Sequence, residues 1–440
     1  MAALNRKITT SRAIVLGFAL LILIGTLLLC LPVSASSGKG ASFSDALFTA
    51  VSAVCVTGLT VVDTGTAWSG FGQAVILFLI QTGGMGVITV IVTATVVFKG
   101  NVSLKQRSIM QEAISCDSIG DTVRTAVGVI RNSLILETVG ALLLMCVFCR
   151  DYGVRGIWYS VFHSVSAFCN AGFDLMEAEG QASLSSYVSS PLVNSVIMIL
   201  IVCGGIGFVC WDDIGKNGIK VRRYRLQTKA VLLVTAVLIA LSSVMFFFLE
   251  FGSLPLPERI WASLFQSVTP RTAGFFTVDQ NVLSAGGTLL TIVLMLIGGA
   301  PGSTAGGMKV TTLAVVFACM LSVFRKKDSA QMLGRRVADS TVRSAMAILI
   351  MYLSSFLAVG TIISRIEALP LLSCLFEAAS ALGTVGLTMG ITPSLSQVSR
   401  ALLIVLMFAG RAGGLTLMFS ALTGSGQYVA KLPLENINVG

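Results

Sequence analysis

Four short stretches of this 440-residue chain set small and hydroxylated residues ahead of a single glycine, an arrangement in which backbone carbonyl oxygens would do the chemistry. They are LFTAVSAVCVTGLT (Leu47 to Thr60), VFHSVSAFCNAGFD (Val161 to Asp174), LFQSVTPRTAGFF (Leu264 to Phe276) and LFEAASALGTVGLT (Leu375 to Thr388). Each begins with an apolar residue and Phe (Phe48, Phe162, Phe265, Phe376) and ends on Gly58, Gly172, Gly274 or Gly386, followed by Leu or Phe. The glycines lie 114, 102 and 112 residues apart, so the chain reads as four copies of one unit. A cation leaving water needs fixed oxygens in place of its hydration shell. A turn relieved of side-chain restriction by glycine can point successive carbonyls inward. Val56-Thr57, Asn170-Ala171, Thr272-Ala273 and Thr384-Val385 would supply those oxygens beside the four glycines. Four such turns around one axis can make an ion pore inside a single polypeptide.

The elements that hold these turns must sit in a membrane. The chain is 55% hydrophobic and 11% charged, against about 25% charge in a soluble domain, and its mean hydropathy is +0.90. Eight apolar stretches, approximately 12–33, 72–98, 122–149, 188–211, 227–250, 287–323, 341–363 and 397–422, are each long enough to cross about 30 Å of hydrocarbon. One of the four motifs lies between the members of each consecutive pair. Its helical part, about 11 residues or some 17 Å, suits a re-entrant half-helix. The fold class expected is therefore an all-α membrane protein of four tandem helix–pore-helix–helix units. Eight spanning helices and four half-helices would stand in pseudo-fourfold arrangement around one pore, with units at 1–100, 101–225, 226–335 and 336–440. The half-helices would aim their partly negative C-terminal ends at the cavity beneath.

Charge sets the orientation. The N-terminus, 99–125, 212–229, 324–343 and the C-terminus together carry twenty Lys/Arg, and the opposite side carries seven. Both termini are thereby expected in the cytoplasm, while eleven acidic residues on the other side would gather cations at a pore mouth. The basic balance has no folded soluble domain with which to serve nucleic acid. Arg6 and Lys7 before the first span resemble a signal peptide, but the apolar run is nearer 20 residues than the usual 7–15, and we read it as a membrane helix.

Second helices repeat a glycine pair: Gly83-Gly84, Gly204-Gly205, Gly306-Gly307 and Gly413-Gly414. Small residues let helix backbones approach closely in lipid, and packing suffices for the first two pairs. The third of these second helices is interrupted by GGAPGSTAGGMK, which sets Gly298, Gly299, Gly302, Ser303, Thr304, Ala305, Gly306, Gly307 and Lys309 around Pro301, a density of glycine and proline that no apolar helix tolerates without unwinding. Irregular backbone at this depth must face protein or a water-filled cavity, and a loop across the conduction path does both. Arg411 lies mid-span in the fourth second helix, where a charge costs about 2.5–3.5 kcal/mol. It would either stand at the constriction holding that loop, or pair with Glu137, the acidic candidate at comparable depth.

Catalytic readings find little support. His163 is the single histidine and sits at a half-helix position shared with Thr49, Gln266 and Glu377. Asp212-Asp213 reads as solvated helix capping, and Cys146 and Cys149 form a CxxC in spelling only. No nucleophile–base pair or metal spacing stands out, and no covalent cofactor is expected. A carrier with broken helices, coupled to sodium or protons and less selective for its cation or solute, is the competing reading. Such carriers usually have inverted halves, whereas four parallel units are seen here.

Taken together, FHSVSAFCNAGFD (Phe162 to Asp174), FQSVTPRTAGF (Phe265 to Phe275), GTVGLT (Gly383 to Thr388), GSTAGGMK (Gly302 to Lys309) and GRAGG (Gly410 to Gly414) carry a family likeness. Over essentially its whole length the chain resembles the Ktr/Trk/HKT superfamily of potassium transporters and, within it, the membrane (ion-translocating) subunit of Ktr systems. The resemblance implies potassium as substrate, held at the filter carbonyls, with the 298–309 loop and Arg411 as the gate. It implies a homodimer in the cytoplasmic membrane on a separate cytosolic nucleotide-binding ring, with control by ATP or ADP and sodium dependence as family properties. Glycine at position 58, where a serine would resemble the sodium-favouring plant branch, resembles the potassium-selective side. One glycine per copy, in place of the two of TVGYG, predicts looser K⁺/Na⁺ discrimination.

Overall fold

Serine caps and prolines start the elements of the computed structural model, which describes residues 10–87, 89–90 and 122–413. The first segment comprises α1 (Thr10–Leu29), α2 (Phe43–Val54), the single turn α3 (Thr64–Ala67) and α4 (Gly70–Met85). The second comprises α5 (Thr122–Tyr152), α6 (Arg155–Cys169), α7 (Pro191–Gly205) and α8 (Phe208–Asn217). The third has α9 (Leu226–Leu249), α10 (Leu256–Val268), α11 (Ala285–Leu296) and α12 (Val310–Phe324). A two-residue-per-strand hairpin (Gln331–Met332 with Arg335–Arg336) leads into the fourth, α13 (Asp339–Glu367), α14 (Leu371–Gly383) and α15 (Gln397–Ala412). The side chains of Ser69, Ser284 and Ser396 accept from backbone N–H groups in the first turns of α4, α11 and α15. Pro191 opens α7, and Pro255 and Pro370 immediately precede α10 and α14.

Long, short and broken helices recur in that order. α1, α5, α9 and α13 contain apolar windows with hydropathy from 1.9 to 2.7, and only 22–33% of each window is buried within the chain. Residues such as Leu20, Leu142, Leu241 and Leu357 stay exposed on them, as lipid-facing residues must. The half-length helices α2, α6, α10 and α14 are the reverse: Phe48, Phe162, Phe265 and Phe376 are all 1% exposed or less. The phenylalanine that opens each sequence motif is thus its anchor in the core.

Uninterrupted second helices are not what forms. α4 ends at Met85, before Gly86 (φ +85°), and α7 turns by 96° into α8 at Gly207 (φ +88°). α11 runs into the 298–309 loop as expected, and α15 ends before Gly413 (φ +82°). A third glycine, in the left-handed region, turns the chain where the pair alone would only have packed. The pairing of glycines also shifts in the fourth segment. A Cβ on Gly83, Gly204 or Gly410 would overlap the carbonyl oxygen of Val54, Phe168 or Leu382, each four residues ahead of its motif glycine. Gly410, not Gly413, is therefore the equivalent of Gly83 and Gly204, and Gly414 lies outside the described residues. So do 1–9, most of the 99–125 basic segment, the ends of the 72–98 and 397–422 stretches, and the C-terminus.

Packing closes on itself. α4 packs on α6, α7 on α10, α11 on α14 and α15 on α2, so each second helix meets the half-helix of the next segment, and the fourth returns to the first. Ser44 Oγ donates to Gln397 Oε1 (2.6 Å) and Arg400 Nη1 to Asp45 Oδ1 (3.2 Å) across that last seam.

Replacing Gly204 by Val must displace the Phe168 carbonyl and is expected to destabilise by at least about 1–3 kcal/mol. Gly128→Ala in open space on α5 should stabilise by about 0.5–1 kcal/mol. Thermal aggregation of the detergent-purified variants would check both signs.

Candidate functional site

Each half-helix ends in the same two-step reversal. Val56, Asn170, Thr272 and Thr384 have φ of +57°, +60°, +71° and +52°, and two residues later Gly58, Gly172, Gly274 and Gly386 have φ of +86°, +68°, +84° and +95°. The residue between them is not left-handed in any copy. Backbone hydrogen bonds from Thr57 to Ser52, Ala171 to Ser166 and Val385 to Ser380, all 2.8 Å, tie three of the turns to their helices. The third copy is one residue shorter, and there Ala273 N donates to Thr269 O at 3.0 Å. Val56, Thr272 and Thr384 are β-branched, so their left-handed backbones store about 1–3 kcal/mol each. Asn170 takes the same conformation more easily.

The four turns meet. A Cβ on Gly58 would strike the carbonyl oxygen of Ala171, one on Gly172 that of Ala273, one on Gly274 that of Val385 and one on Gly386 that of Thr57. All twelve residues expected to form the carbonyl site are therefore drawn into one ring, in cyclic order. Between copies two and three a side-chain bond reinforces it. Thr272 Oγ1 donates to Asn170 Oδ1 at 3.1 Å, while Asn170 Nδ2 donates to the carbonyls of Ala167, Phe168 and Ile201. Arg271, which breaks the likeness of the copies in sequence, turns away from the ring and donates through Nη2 to Thr235 Oγ1 (3.2 Å) on α9. Hydroxyls that sequence reasoning passed over stand behind the turns. Ser166 Oγ donates to Phe173 O (2.7 Å), Thr269 Oγ1 donates to Phe275 O, and Ser380 Oγ accepts from Gly386 N (3.0 Å). Their signal was the hydroxyl recurring five or six residues ahead of each glycine.

The 298–309 loop lies against this ring. It is pinched at its base by Gly298 N to Met308 O (2.7 Å) and Val310 N to Gly299 O (3.0 Å). Ala300 N (2.8 Å) and Thr304 N (3.2 Å) donate to Gly205 O and Gly204 O, carbonyls left free by the bend after α7, and Phe208 N donates to Gly302 O (2.8 Å). Thr304 Oγ1 reaches Phe168 O (3.1 Å) in the second copy. On the other flank a Cβ at Gly306 would overlap Thr384 Oγ1, and one at Gly307 would lie 3.0 Å from Gly383 O, both in the fourth. The loop thus bridges opposite copies. Ser303 Oγ and Lys309 Nζ are spent within it, on Ala300 O (2.6 Å) and on Ala305 O (2.8 Å).

Arg411 fastens the loop. Its guanidinium donates to Thr304 O, and to Gly83 O and Gly84 O (2.8 Å) at the end of α4. Gly83 O also accepts from Gly86 N (3.2 Å), so the guanidinium is a second donor there, and a cation is well placed at that helix terminus. Pairing with Glu137, the other expectation, does not occur, because Gln81 Nε2 occupies both Glu137 oxygens at 2.9 and 2.8 Å. On the loops leaving the first two turns, Asp63 and Glu177 share a hydrogen bond that, with burial, pushes Glu177 up to about 8. Asp63, although burial opposes it, is held below the usual carboxylate range by bonds from Glu177 and Thr66, and burial raises nearby Asp174 to about 6.

Known proteins match the chain over nearly its whole length. Residues 9–431 match the family model described as TrkH, cation transport protein. The chain is 37% identical to the Potassium/sodium uptake protein NtpJ of Enterococcus hirae, covering 99% of this chain and 98% of that protein. It is 39% identical to the Ktr system potassium uptake protein B of Bacillus subtilis, over 94% of this chain and 93% of the relative. In fold it is similar to the crystal structure of the potassium transporter TrkH from Vibrio parahaemolyticus, with a TM-score of 0.71 at 21% identity over 92% of this chain and 84% of that one.

Truncating Arg411 to Met removes the side-chain donor from three carbonyls, of which Gly83 O keeps its bond from Gly86 N, and should cost about 1.5–3 kcal/mol locally. Amide hydrogen exchange across 302–307 is expected to speed up by roughly tenfold or more, read by mass spectrometry on the purified protein.

Proposed function

Because this chain belongs to the TrkH family of cation transport proteins, we propose that it takes up potassium as the membrane subunit of a Ktr-type system. It is a multi-pass membrane transporter and not an enzyme. The observation that carries the finer reading is the cyclic contact of the four glycine turns with one loop and one arginine against them. We read the chain as four pore units (1–100, 101–225, 226–335 and 336–440) around a single axis. The four broken second helices would cross the membrane beside four continuous ones. Both termini are placed in the cytoplasm by the lysine and arginine distribution.

Transport follows from this arrangement. Acidic loops such as those of Asp63 and Glu177 concentrate cations at the outer mouth. The ion then exchanges water for the carbonyls around Gly58, Gly172, Gly274 and Gly386, a step made cheap because the oxygens are already fixed. Beyond the ring, Gly298 to Lys309 obstructs the path and the Arg411 charge opposes a cation. Conduction requires the loop to release Thr304 from Arg411, a bistable contact that a partner could bias. A homodimer on a cytosolic ring that binds ATP or ADP supplies such a partner in this reading. Sodium enters as a coupled or competing ion, a reading supported by the relative described as a potassium/sodium uptake protein.

Uptake of K⁺ in a strain without its own systems is the test, with Gly172→Ser and Gly386→Ser alongside. Overlap of the new Cβ with Ala273 O or Thr57 O should weaken K⁺ affinity and Na⁺ rejection by roughly tenfold, about 1.4 kcal/mol. Serine variants with both properties unchanged would overturn the filter assignment, and uptake that stops without a sodium gradient would favour a coupled carrier. Since Glu177 stays protonated below about 8, raising external pH from 7 to 9 adds a negative charge at the mouth. Half-saturating K⁺ should then fall about twofold, an effect that Glu177→Gln abolishes.

A further inference from the structure

The residue after the anchoring phenylalanine is polar in every half-helix, and each is buried: Thr49 at 1% exposure, His163 at 0%, Gln266 at 3% and Glu377 at 0%. Nothing in the transport reading uses them. In the fourth copy Glu377 reaches past the carbonyl turn to the chain that leaves it. Its Oε1 accepts from Thr388 Oγ1 (2.5 Å) and Met389 N (3.1 Å), and its Oε2 from Thr392 Oγ1 (2.8 Å). In the third copy Gln266 and Gln280 exchange amide bonds (2.8 and 3.3 Å), and Gln280 stands six residues beyond Gly274 just as Thr392 does beyond Gly386. In the second copy the strap is made from another position, Tyr159 Oη donating to Glu179 Oε1 (2.7 Å) seven residues beyond Gly172, and in neither of the first two copies does the residue after the phenylalanine take part. His163 turns Nδ1 back to Tyr159 O (2.7 Å), leaving Nε2 unbonded among the described residues, and Thr49 Oγ1 is likewise unbonded.

We propose that Glu377 is a specificity-determining positioning residue that braces the fourth carbonyl turn from behind. Together with the Gln266–Gln280 pair it stiffens the third and fourth turns from the buried side of the half-helix, a support that Thr49 does not give the first turn. The physical case is direct. A left-handed Thr384 and a Gly386 of φ +95° are conformations that surroundings must enforce. A fully buried carboxylate with three donors on the departing segment fixes that segment against the half-helix. Oxygen spacing at the ring distinguishes ions only as far as the turn resists collapse onto a smaller one. The buried braces on the third and fourth turns therefore set the discrimination between K⁺ and Na⁺. Its link to discrimination rests on the transport reading; the brace itself does not.

The experiment compares Glu377→Ala, Glu377→Gln and the double variant Gln266→Leu/Gln280→Leu. Two readouts are taken: the ratio of half-saturating Na⁺ to K⁺ in uptake, and hydrogen exchange of 386–392 and 274–280 against 58–64. Alanine should lower the ratio about tenfold and accelerate exchange in 386–392 but not in 58–64. Glutamine, which still offers an oxygen to Thr388 and Met389, should restore both to within about twofold. The double leucine variant removes both partners of a neutral pair, a change the fold tolerates, and should lower the ratio and loosen 274–280. It decides the matter if the alanine variant does not reach the membrane. Unchanged exchange overturns the brace, and faster exchange with an unchanged ratio overturns its role in specificity. Faster exchange in a chain whose unaltered form moves no K⁺ supports the brace and overturns the transport reading instead.

Discussion

Carbonyl groups inside a bilayer have no water to turn to, and the architecture of this chain follows from how they are satisfied. Helices would ordinarily consume them all. Here α4, α7 and α15 end at or just before a glycine of positive φ and α11 runs into a glycine-rich loop, so the carbonyls of Gly83, Gly84, Gly204 and Gly205 stand at helix ends. Those four are then taken up from elsewhere in the chain: Arg411 caps the first pair and the amides of Thr304 and Ala300 take the second. The same interactions that settle the backbone account also place a loop and a positive charge against the ring of glycine turns. One set of hydrogen bonds thus both satisfies these helix ends and holds the loop in place. In the proposed transport reading, moving the loop would expose the carbonyls it satisfies, which favours the arrangement seen here.

Much of this was legible in the residues, though unevenly. Period and spacing revealed the four motifs because each needs an anchoring Phe, a small-residue helix and a glycine at fixed offsets. The interruption at 298–309 was plain because five glycines and a proline cannot be helical. Breaks at Gly86, Gly207 and Gly413 were missed, since a single extra glycine in an apolar run is indistinguishable from a packing residue until its φ is known. The choice of Arg411's partner also lay beyond the sequence. Glu137 matched it in depth and charge, but Gln81 on α4 claims that carboxylate, and backbone carbonyls do not announce themselves in a sequence.

Apparent irregularities among the copies sort into two kinds. Arg271 looks like a fault in fourfold symmetry and proves to lie outside the ring, bonded to α9. Asn170 looks equally foreign, yet it shares the left-handed position with Val56, Thr272 and Thr384 and is the residue best suited to it. The inequality that does bear on the ring is hidden in the half-helices, where Glu377 and Gln266 are engaged and His163 and Thr49 are not. Backbone geometry is repeated closely while its side-chain support is not. A permeating ion would meet four similar oxygens held with different stiffness.

The seam between α2 and α15 carries a consequence for how the molecule is made. Asp45 and Arg400 are 355 positions apart, and at about 5–20 residues per second the ribosome needs roughly 20–70 s to deliver the second after the first. Through that interval the flank of α2 that α15 will cover lacks its partner, and Ser44 and Asp45 lack their bonds to Gln397 and Arg400, the Asp45 carboxylate keeping that from Ser42 Oγ (2.7 Å). The barrel-like closure is therefore the last tertiary event of biogenesis. A nascent chain stopped short of α15 holds all four glycine turns but lacks the helix that closes the fourth against the first, the state in which insertion machinery or a second chain has its best opportunity to intervene.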